Sequence, residues 1–341
     1  MSDFYKLTPA EQGVHLTALA QAALPHWKLQ GARLDIIKMR ENAVFCATMP
    51  SGARYALRIH RHGYHSDAEL HSELLWMRAL DESGIHVPAI IPASSGELFI
   101  KVAHARVPEA RQVDLFAWVN GQQLGSSESG VAGDDATIAR TFRTIGTLTG
   151  RMHNQASAWH VPAGFERHAW DTDGLVGETP FWGRFWDLAA LTPDQRDLIQ
   201  RGRERVRQDL DAFGRGPETY SLIHADFTPE NLLVDGAHVR PIDFDDAGFG
   251  WHLFDLATTL YFHLDAEYFS AARDALVHGY RSMRPLSDQD LDRLPLFFVA
   301  RGFTYLGWVH TRHETQTARD LTPMLVDQAC RLTDQYLSRT G

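Results

Sequence analysis

One stretch limits what this chain can fold into more than any other: Ser221 to Ala257, S-L-I-H-A-D-F-T-P-E-N-L-L-V-D-G-A-H-V-R-P-I-D-F-D-D-A-G-F-G-W-H-L-F-D-L-A. The apolar run from Tyr220 to His224 reads as a strand ending in a loop. Leu232 to Asp243 reads as a hairpin turning at Asp235-Gly236, because Asp-Gly supplies the backbone conformations a tight hairpin requires. His224, Asp226 and Asn231 lie on the loop as H-x-D-x-x-x-x-N, and Asp243 ends the second hairpin strand. The hairpin therefore predicts that Asn231 and Asp243 meet, although twelve positions separate them. Oxygen donors of that kind suit a hard cation such as Mg²⁺, which takes few protein ligands. A carboxylate on the same loop, Asp226, is suited to orient a hydroxyl and accept its proton.

That layout is the layout of a kinase catalytic loop and metal-binding strand, and it implies phosphoryl transfer from ATP. Such transfer needs little covalent help from the protein; the site must orient a hydroxyl and neutralise phosphate charge. The stretch resembles the aminoglycoside phosphotransferase superfamily, which also holds choline kinases, homoserine kinases and bacterial stress-response kinases. The homoserine and stress-response branch is nearest, because I-D-F-D-D-A-G-F-G-W-H-L-F-D-L-A continues the pattern past Asp243. The resemblance extends over most of the chain. It implies an α+β, two-lobed protein-kinase-like fold, with a β-rich N-lobe at 1–118 and a larger, mainly helical C-lobe at 119–341. It also implies that Asp226 is catalytic, that His224 props the loop, that Asp255 tethers it from the next helix, and that Asn231 and Asp243 hold Mg²⁺. Asp245 and Asp246 stay open between a second metal, a cationic acceptor and a solvated, loop-capping role.

Upstream, Thr8-Pro9-Ala10-Glu11 starts a helix within residues 1–33. From Leu34 the period changes, and Leu34 to Met39, Ala43 to Met49 and Arg54 to His60 read as three strands. In the kinase plan the first turn of such a sheet covers the phosphates. Here it is Arg40-Glu41-Asn42, without G-x-G-x-x-G; Asn42 tolerates a left-handed turn, which would still aim backbone donors at phosphate. The third strand, Y-A-L-R-I-H-R, resembles the kinase A-x-K strand with Arg58 in place of Lys, and Arg58 is read as the phosphate cation. A helix over Ser66 to Ser83, capped by Ser66, carries Glu73 where the resemblance places the glutamate that pairs with that cation. Short strands follow near Ala89 to Ile91, Leu98 to Val102 and Val113 to Trp118. The segment V-D-L-F-A-W-V-N-G looks like the family's hinge, so main-chain groups of Phe116, Ala117 and Trp118 are expected to meet adenine.

Gly121 to Gly133 reads as a flexible connection. Beyond it the pattern is helical: Asp135 to Ala158, with Gly150 at a close packing point and His153 as a satisfied core histidine, then Tyr268 to Met283, Leu294 to His313 and Leu321 to Ser338. Residues 160–182 form a long irregular segment that either borders the acceptor site or is an exposed connector. Arg301, Tyr305, Trp308 and Arg312 share one helix face. The two aromatics read as core, and Arg301 as the candidate for an anionic group on the acceptor.

Composition sets bounds on partners. The chain of 341 residues is 44% hydrophobic and 22% charged, as globular proteins are, and exceeds the usual size of one domain. Its net charge of −10, without a basic block, argues against nucleic acid. No apolar run reaches the roughly 20 residues of a membrane helix, and the N-terminus lacks the pattern of a signal peptide. With only Cys46 and Cys330, far apart, the reading is a cytoplasmic protein with free thiols. The expectation is an ATP- and Mg²⁺-dependent phosphotransferase acting on a small-molecule hydroxyl. A Ser/Thr protein kinase with a protein substrate and a nucleotide-binding pseudokinase are the alternatives.

Overall fold

The computed structural model describes residues 3–39, 42–126, 130–236 and 238–340. It divides into two compact units: Met1–Gly121 with Val161–Glu166, and Gln122–His160 with Arg167–Gly341. The division falls three residues beyond the expected hinge, and the short return of 161–166 was not foreseen. In that return the Glu166 amide donates to Ser72 Oγ at 2.8 Å.

The first unit holds helix α1 (Pro9–Ala23), strands β1 (Arg33–Met39), β2 (Ala43–Thr48) and β3 (Arg54–Ile59), helix α2 (Asp67–Glu82), and strands β4 (Phe99–His104) and β5 (Val107–Ala117). The strands form one antiparallel sheet in the order β1-β2-β3-β5-β4. Alternate side chains point to opposite faces. Phe45, Ala47, Leu57, Ile59, Val113 and Leu115 join Leu16, Leu19, Ala20 and Trp27 in one buried cluster under α1. Each large apolar side chain buried there contributes about 1.5–3 kcal/mol. The intervening positions, Arg58 and Asp114, are cross-strand partners on the other face. Both helices begin with capping boxes, Thr8 with Glu11 and Ser66 with Glu69, which satisfy amide groups the first turn leaves open. The strand expected at Ala89 to Ile91 is reduced to a single bridge, Ile90 to Phe116.

The second unit opens with two-residue strands β6 (Gln122–Gln123), β7 (Gly125–Ser126) and β8 (Gly130–Val131), where a flexible connection was expected; residues 127–129 lie outside the described residues. Helix α3 (Asp135–Ala158), strand β9 (Ala169–Trp170), and helices α4 (Thr172–Val176) and α5 (Pro193–Phe213) lead to strand β10 (Tyr220–Ile223). Then come the hairpin β11 (Leu232–Asp235) and β12 (His238–Pro241), strand β13 (Gly248–Trp251), and helices α6 (His252–Tyr261), α7 (Phe269–Arg281), α8 (Asp288–Leu291), α9 (Leu294–Thr311) and α10 (Gln316–Thr340). β10 pairs with β13, and β11 is flanked by β12 and β6. Helix α9 is buried along nearly its whole length, as a helix apolar on all sides must be. Among the described residues no helix is long and apolar enough to cross a membrane.

Candidate active site

The loop between β10 and β11 is built by its own backbone and by one buried carboxylate. Asp255, in the first turn of α6, is fully enclosed. Its carboxylate accepts from the amides of His224 (3.1 Å) and Ala225 (2.7 Å) and from His153 Nε2 (3.0 Å). Burial pushes its carboxyl up to about 6, and these donors act in the opposite direction or hold the charge in place. Ala225 has φ of 63°, a left-handed conformation that costs a residue with a Cβ roughly 1–2 kcal/mol. Its amide on Asp255 and its carbonyl on Arg301 Nη1 (3.1 Å) hold it there from both sides.

His224 links the loop to the end of the β11–β12 hairpin. Burial lowers its pKa to about 4, so the ring is neutral. Nδ1 then accepts from the Asp226 amide (3.3 Å), and Nε2 donates to the Ile242 carbonyl (3.1 Å), the residue before Asp243. Asn231 is tied to the same place, since its carbonyl accepts from the Ile242 amide at 2.9 Å. Its side-chain Nδ2 donates to Asp226 Oδ2 at 2.7 Å and to the Asp226 carbonyl at 3.1 Å. Asp226, Asn231 and the Ile242-Asp243 step thus form one hydrogen-bonded assembly, which the hairpin register of Leu232 with Pro241 produces. Asp243 has φ of 65°, a second strained residue at the point where the chain leaves the hairpin.

This donor set fits a divalent cation. Asn231 commits its amide nitrogen to Asp226, which leaves the side-chain oxygen as its donor, and Asp243 offers a carboxylate; both are hard oxygen ligands. With water and phosphate oxygens the two would satisfy an ion such as Mg²⁺.

Arg301 has a partner that the sequence did not suggest. Expected to meet an anionic group on the acceptor, it is 0% exposed and donates from Nη2 to Asp226 Oδ1 at 2.8 Å and to Tyr305 Oη at 2.9 Å. Its guanidinium lies over the rings of Tyr305 (4.2 Å), Trp182 (4.9 Å) and Phe254 (5.4 Å). Burial works against its charge, and Tyr305, Asp226 and Asp246 outweigh that and raise its pKa. The long segment 160–182 borders this place through Trp182, whose indole also donates to Asp246 Oδ1 at 3.3 Å. Asp245 is only 5% exposed, so of the two carboxylates left open it is Asp246 that stands beside Arg301 and Trp182. Arg167 braces the same turn through the carbonyls of Phe244, Asp245 and Ala247.

In the first unit the Arg58–Glu73 pair forms, at 2.8 Å. The sequence reading missed Asp114, which takes Arg58 Nη2 at 2.6 Å and Nε at 3.1 Å and also contacts His60 at 3.0 Å. Its signal was a lone charge in the apolar run V-D-L-F-A. Arg58, read as the phosphate cation, is thus held between two buried carboxylates, Glu73 and Asp114. The side-chain oxygen of Asn42 accepts from the Arg61 amide at 3.0 Å. Arg40 and Glu41 lie outside the described residues. At the hinge the Ala117 amide is spent on the Ala89 carbonyl (2.8 Å), Phe116 is buried with Arg58 over its ring, and Trp118 carries Arg54 over its ring at 4.9 Å.

Comparison with known proteins agrees with this architecture. A microcompartment-associated aminopropanol kinase of known structure superposes with a TM-score of 0.83 at 31% identity, covering 95% of this chain and 98% of that one. An amicoumacin kinase solved in complex with AMP-PNP, Ca²⁺ and Ami shares the fold, with a TM-score of 0.75 at 22% identity over 96% of each chain. The homoserine kinase of Agrobacterium fabrum is 26% identical over 246 residues, 67% of either chain. The profile of the phosphotransferase enzyme family matches residues 37–297. With that match over most of its length, the chain belongs to the phosphotransferase enzyme family and has its α+β, protein-kinase-like fold.

Proposed function

We propose that the chain moves the γ-phosphate of ATP to the hydroxyl of a small amino alcohol, with Asp226 receiving the hydroxyl proton. The observation that carries this reading is the assembly of Asp226, Asn231 and Ile242-Asp243 through His224 and the Asn231 side chain. Asp226 accepts from Arg301 at Oδ1 and from Asn231 at Oδ2. A carboxylate oxygen has two lone pairs and can accept more than one hydrogen bond. The alcohol oxygen bonds to the γ-phosphorus as the bond from that phosphorus to the β–γ bridging oxygen breaks, and the proton passes to Asp226. Mg²⁺, held by Asn231 and Asp243, would supply neutralising charge to the triphosphate. The relative solved with AMP-PNP and Ca²⁺ supports a nucleotide with a divalent ion.

An amino alcohol is favoured because aminopropanol and homoserine, the acceptors of two relatives, both carry an amine beside the hydroxyl. Asp246 beside Trp182 offers a carboxylate near Asp226 for such an amine. Arg58 serves in this reading as the lock between Glu73 and Asp114 in the nucleotide-binding unit. Adenine would meet main chain from Trp118 onward, since the Ala117 amide is taken.

The test is ADP release with 1-amino-2-propanol and homoserine, with Mg²⁺ and with a chelator. Wild-type protein is expected to turn over at least one of them only with the metal. Asp226→Asn should lower kcat about 10³-fold or more while ATP binding persists, and Asp243→Asn should weaken Mg-ATP binding. Full activity in Asp226→Asn, or turnover indifferent to the chelator, would sink the reading.

A further inference from the structure

Resting on the reading of Asp226 as proton acceptor, we propose that Arg301 is a positioning residue: it fixes the Asp226 carboxylate in one orientation, and it does not bind the acceptor. Arg301 sits in the middle of F-F-V-A-R-G-F, the most apolar part of α9, and is fully buried. A buried guanidinium persists only where partners replace its hydration. Here both Nη2 hydrogens are used, on Asp226 Oδ1 and Tyr305 Oη, and Nη1 takes the carbonyl of Ala225. Three ring faces enclose the remainder, and Nε has no hydrogen-bond partner among the described residues. With no exposed surface, the group has nothing to offer an anionic acceptor.

The carboxylate it holds is partly open, 19% exposed at the side chain, so something must set its orientation. Asn231 grips Oδ2 alone, and a carboxylate gripped at one oxygen can rotate. Arg301 takes the other oxygen and, through Ala225, also fixes the strained residue just before it. A misplacement of about 1 Å at the reacting group can cost on the order of 10²-fold in rate.

The experiment compares Arg301→Gln, Arg301→Lys and Tyr305→Phe with Asp226→Asn in the full chain. It reads kcat and KM by ADP release with 1-amino-2-propanol, or by slow ADP release to water if that alcohol is not used. Arg301→Gln is expected to lower kcat about 10²-fold with KM for ATP and for the alcohol within about threefold. Arg301→Lys, keeping the charge, should recover at least about tenfold of that loss, and Tyr305→Phe, which leaves the guanidinium on Asp226, should lose only about three- to tenfold. Combined with Asp226→Asn, Arg301→Gln should add little, because the two act through one carboxylate. A raised KM for the alcohol at unchanged kcat would restore Arg301 as an acceptor ligand and overturn the proposal. A kcat loss as large in Lys as in Gln, tracking lowered melting temperature, would reduce it to packing and also overturn it. Unchanged kcat in Asp226→Asn removes the parent reading, and this one with it; a dead Asp226→Asn beside unaffected Arg301 variants removes this one alone.

Discussion

Arg58, Glu73 and Asp114 make a buried charge cluster whose energetics follow from counting. Burial alone would raise the carboxyl of Asp114, but the charges of Arg58 and His60 outweigh it and hold it below the ordinary carboxylate range. Asp114 accepts two charge-assisted bonds from Arg58 and contacts His60, and a neutral amide cannot replace them at equal strength. Asp114→Asn is therefore expected to destabilise the first unit by about 2–4 kcal/mol, read as a lower denaturation midpoint in urea. If the midpoint is unchanged, Glu73 alone compensates Arg58. The pair Arg58–Glu73 was legible in the sequence because a strand cation and a helix glutamate fifteen positions on follow one local plan. Asp114 was not, because its place opposite Arg58 exists only once β3 and β5 pair, fifty-six positions apart. Arg301 teaches the same lesson: its helix face could be read from spacing, but the group it meets, Asp226, lies seventy-five positions away. The loop of His224, Asp226 and Asn231 was readable because its contacts are local or pass through one hairpin.

Helix boundaries were the most legible elements, since Thr8, Ser66 and Asp134 cap their helices with side chains the sequence displays. The two-residue strands β6 to β9 were not, because so short a run carries no period. Between helices, α3 and α7 meet at a crossing that only glycine permits. A Cβ on Gly146 would stand 2.0 Å from the Leu276 carbonyl oxygen, and one on Gly279 would stand 2.0 Å from that of Arg143. The sequence reading picked out Gly150, where the approach is looser, 3.1 Å to the Tyr280 carbonyl oxygen. The crossing matters to the loop: Tyr280 on α7 contacts His153 Nδ1 at 3.0 Å, and His153 holds Asp255. Gly146→Ala is expected to push the helices apart and cost about 3 kcal/mol, more than the helix propensity of Ala returns. Chemical denaturation should show the loss, and kcat should fall with it because His153 is displaced. A stabilised Gly146→Ala would mean that the two backbones have room to separate.

At the scale of the whole molecule, buried histidines make stability depend on pH in a direction that can be worked out. Burial lowers His224 and His263 to about 4, and lowers His153 and His252 well below the ordinary value. A group whose folded pKa lies below its unfolded value stabilises the fold while neutral, and that stability is lost as pH falls from about 6.5 toward the folded value. At pH 5 His224 and His263 would each cost about 2 kcal/mol relative to pH 7.5, and His153 and His252 act in the same direction. Asp255 acts the other way: its carboxyl is raised to about 6, so the folded state gains as pH falls from 6 toward 4. One aspartate offsets at most one histidine, so the sum favours unfolding in acid. The melting temperature is expected to fall by several degrees between pH 7.5 and pH 5. The fall should be smaller in His252→Gln, which removes one titrating ring and leaves an amide to meet Ser221 and the Glu218 carbonyl. Activity should fail only at still lower pH, as His224 titrates near 4, since a proton on Nδ1 occupies the lone pair that now receives the Asp226 amide. Melting temperatures flat from pH 7.5 to pH 5 would mean that these rings find compensation for their charge inside the fold, and the burial argument would fail with them.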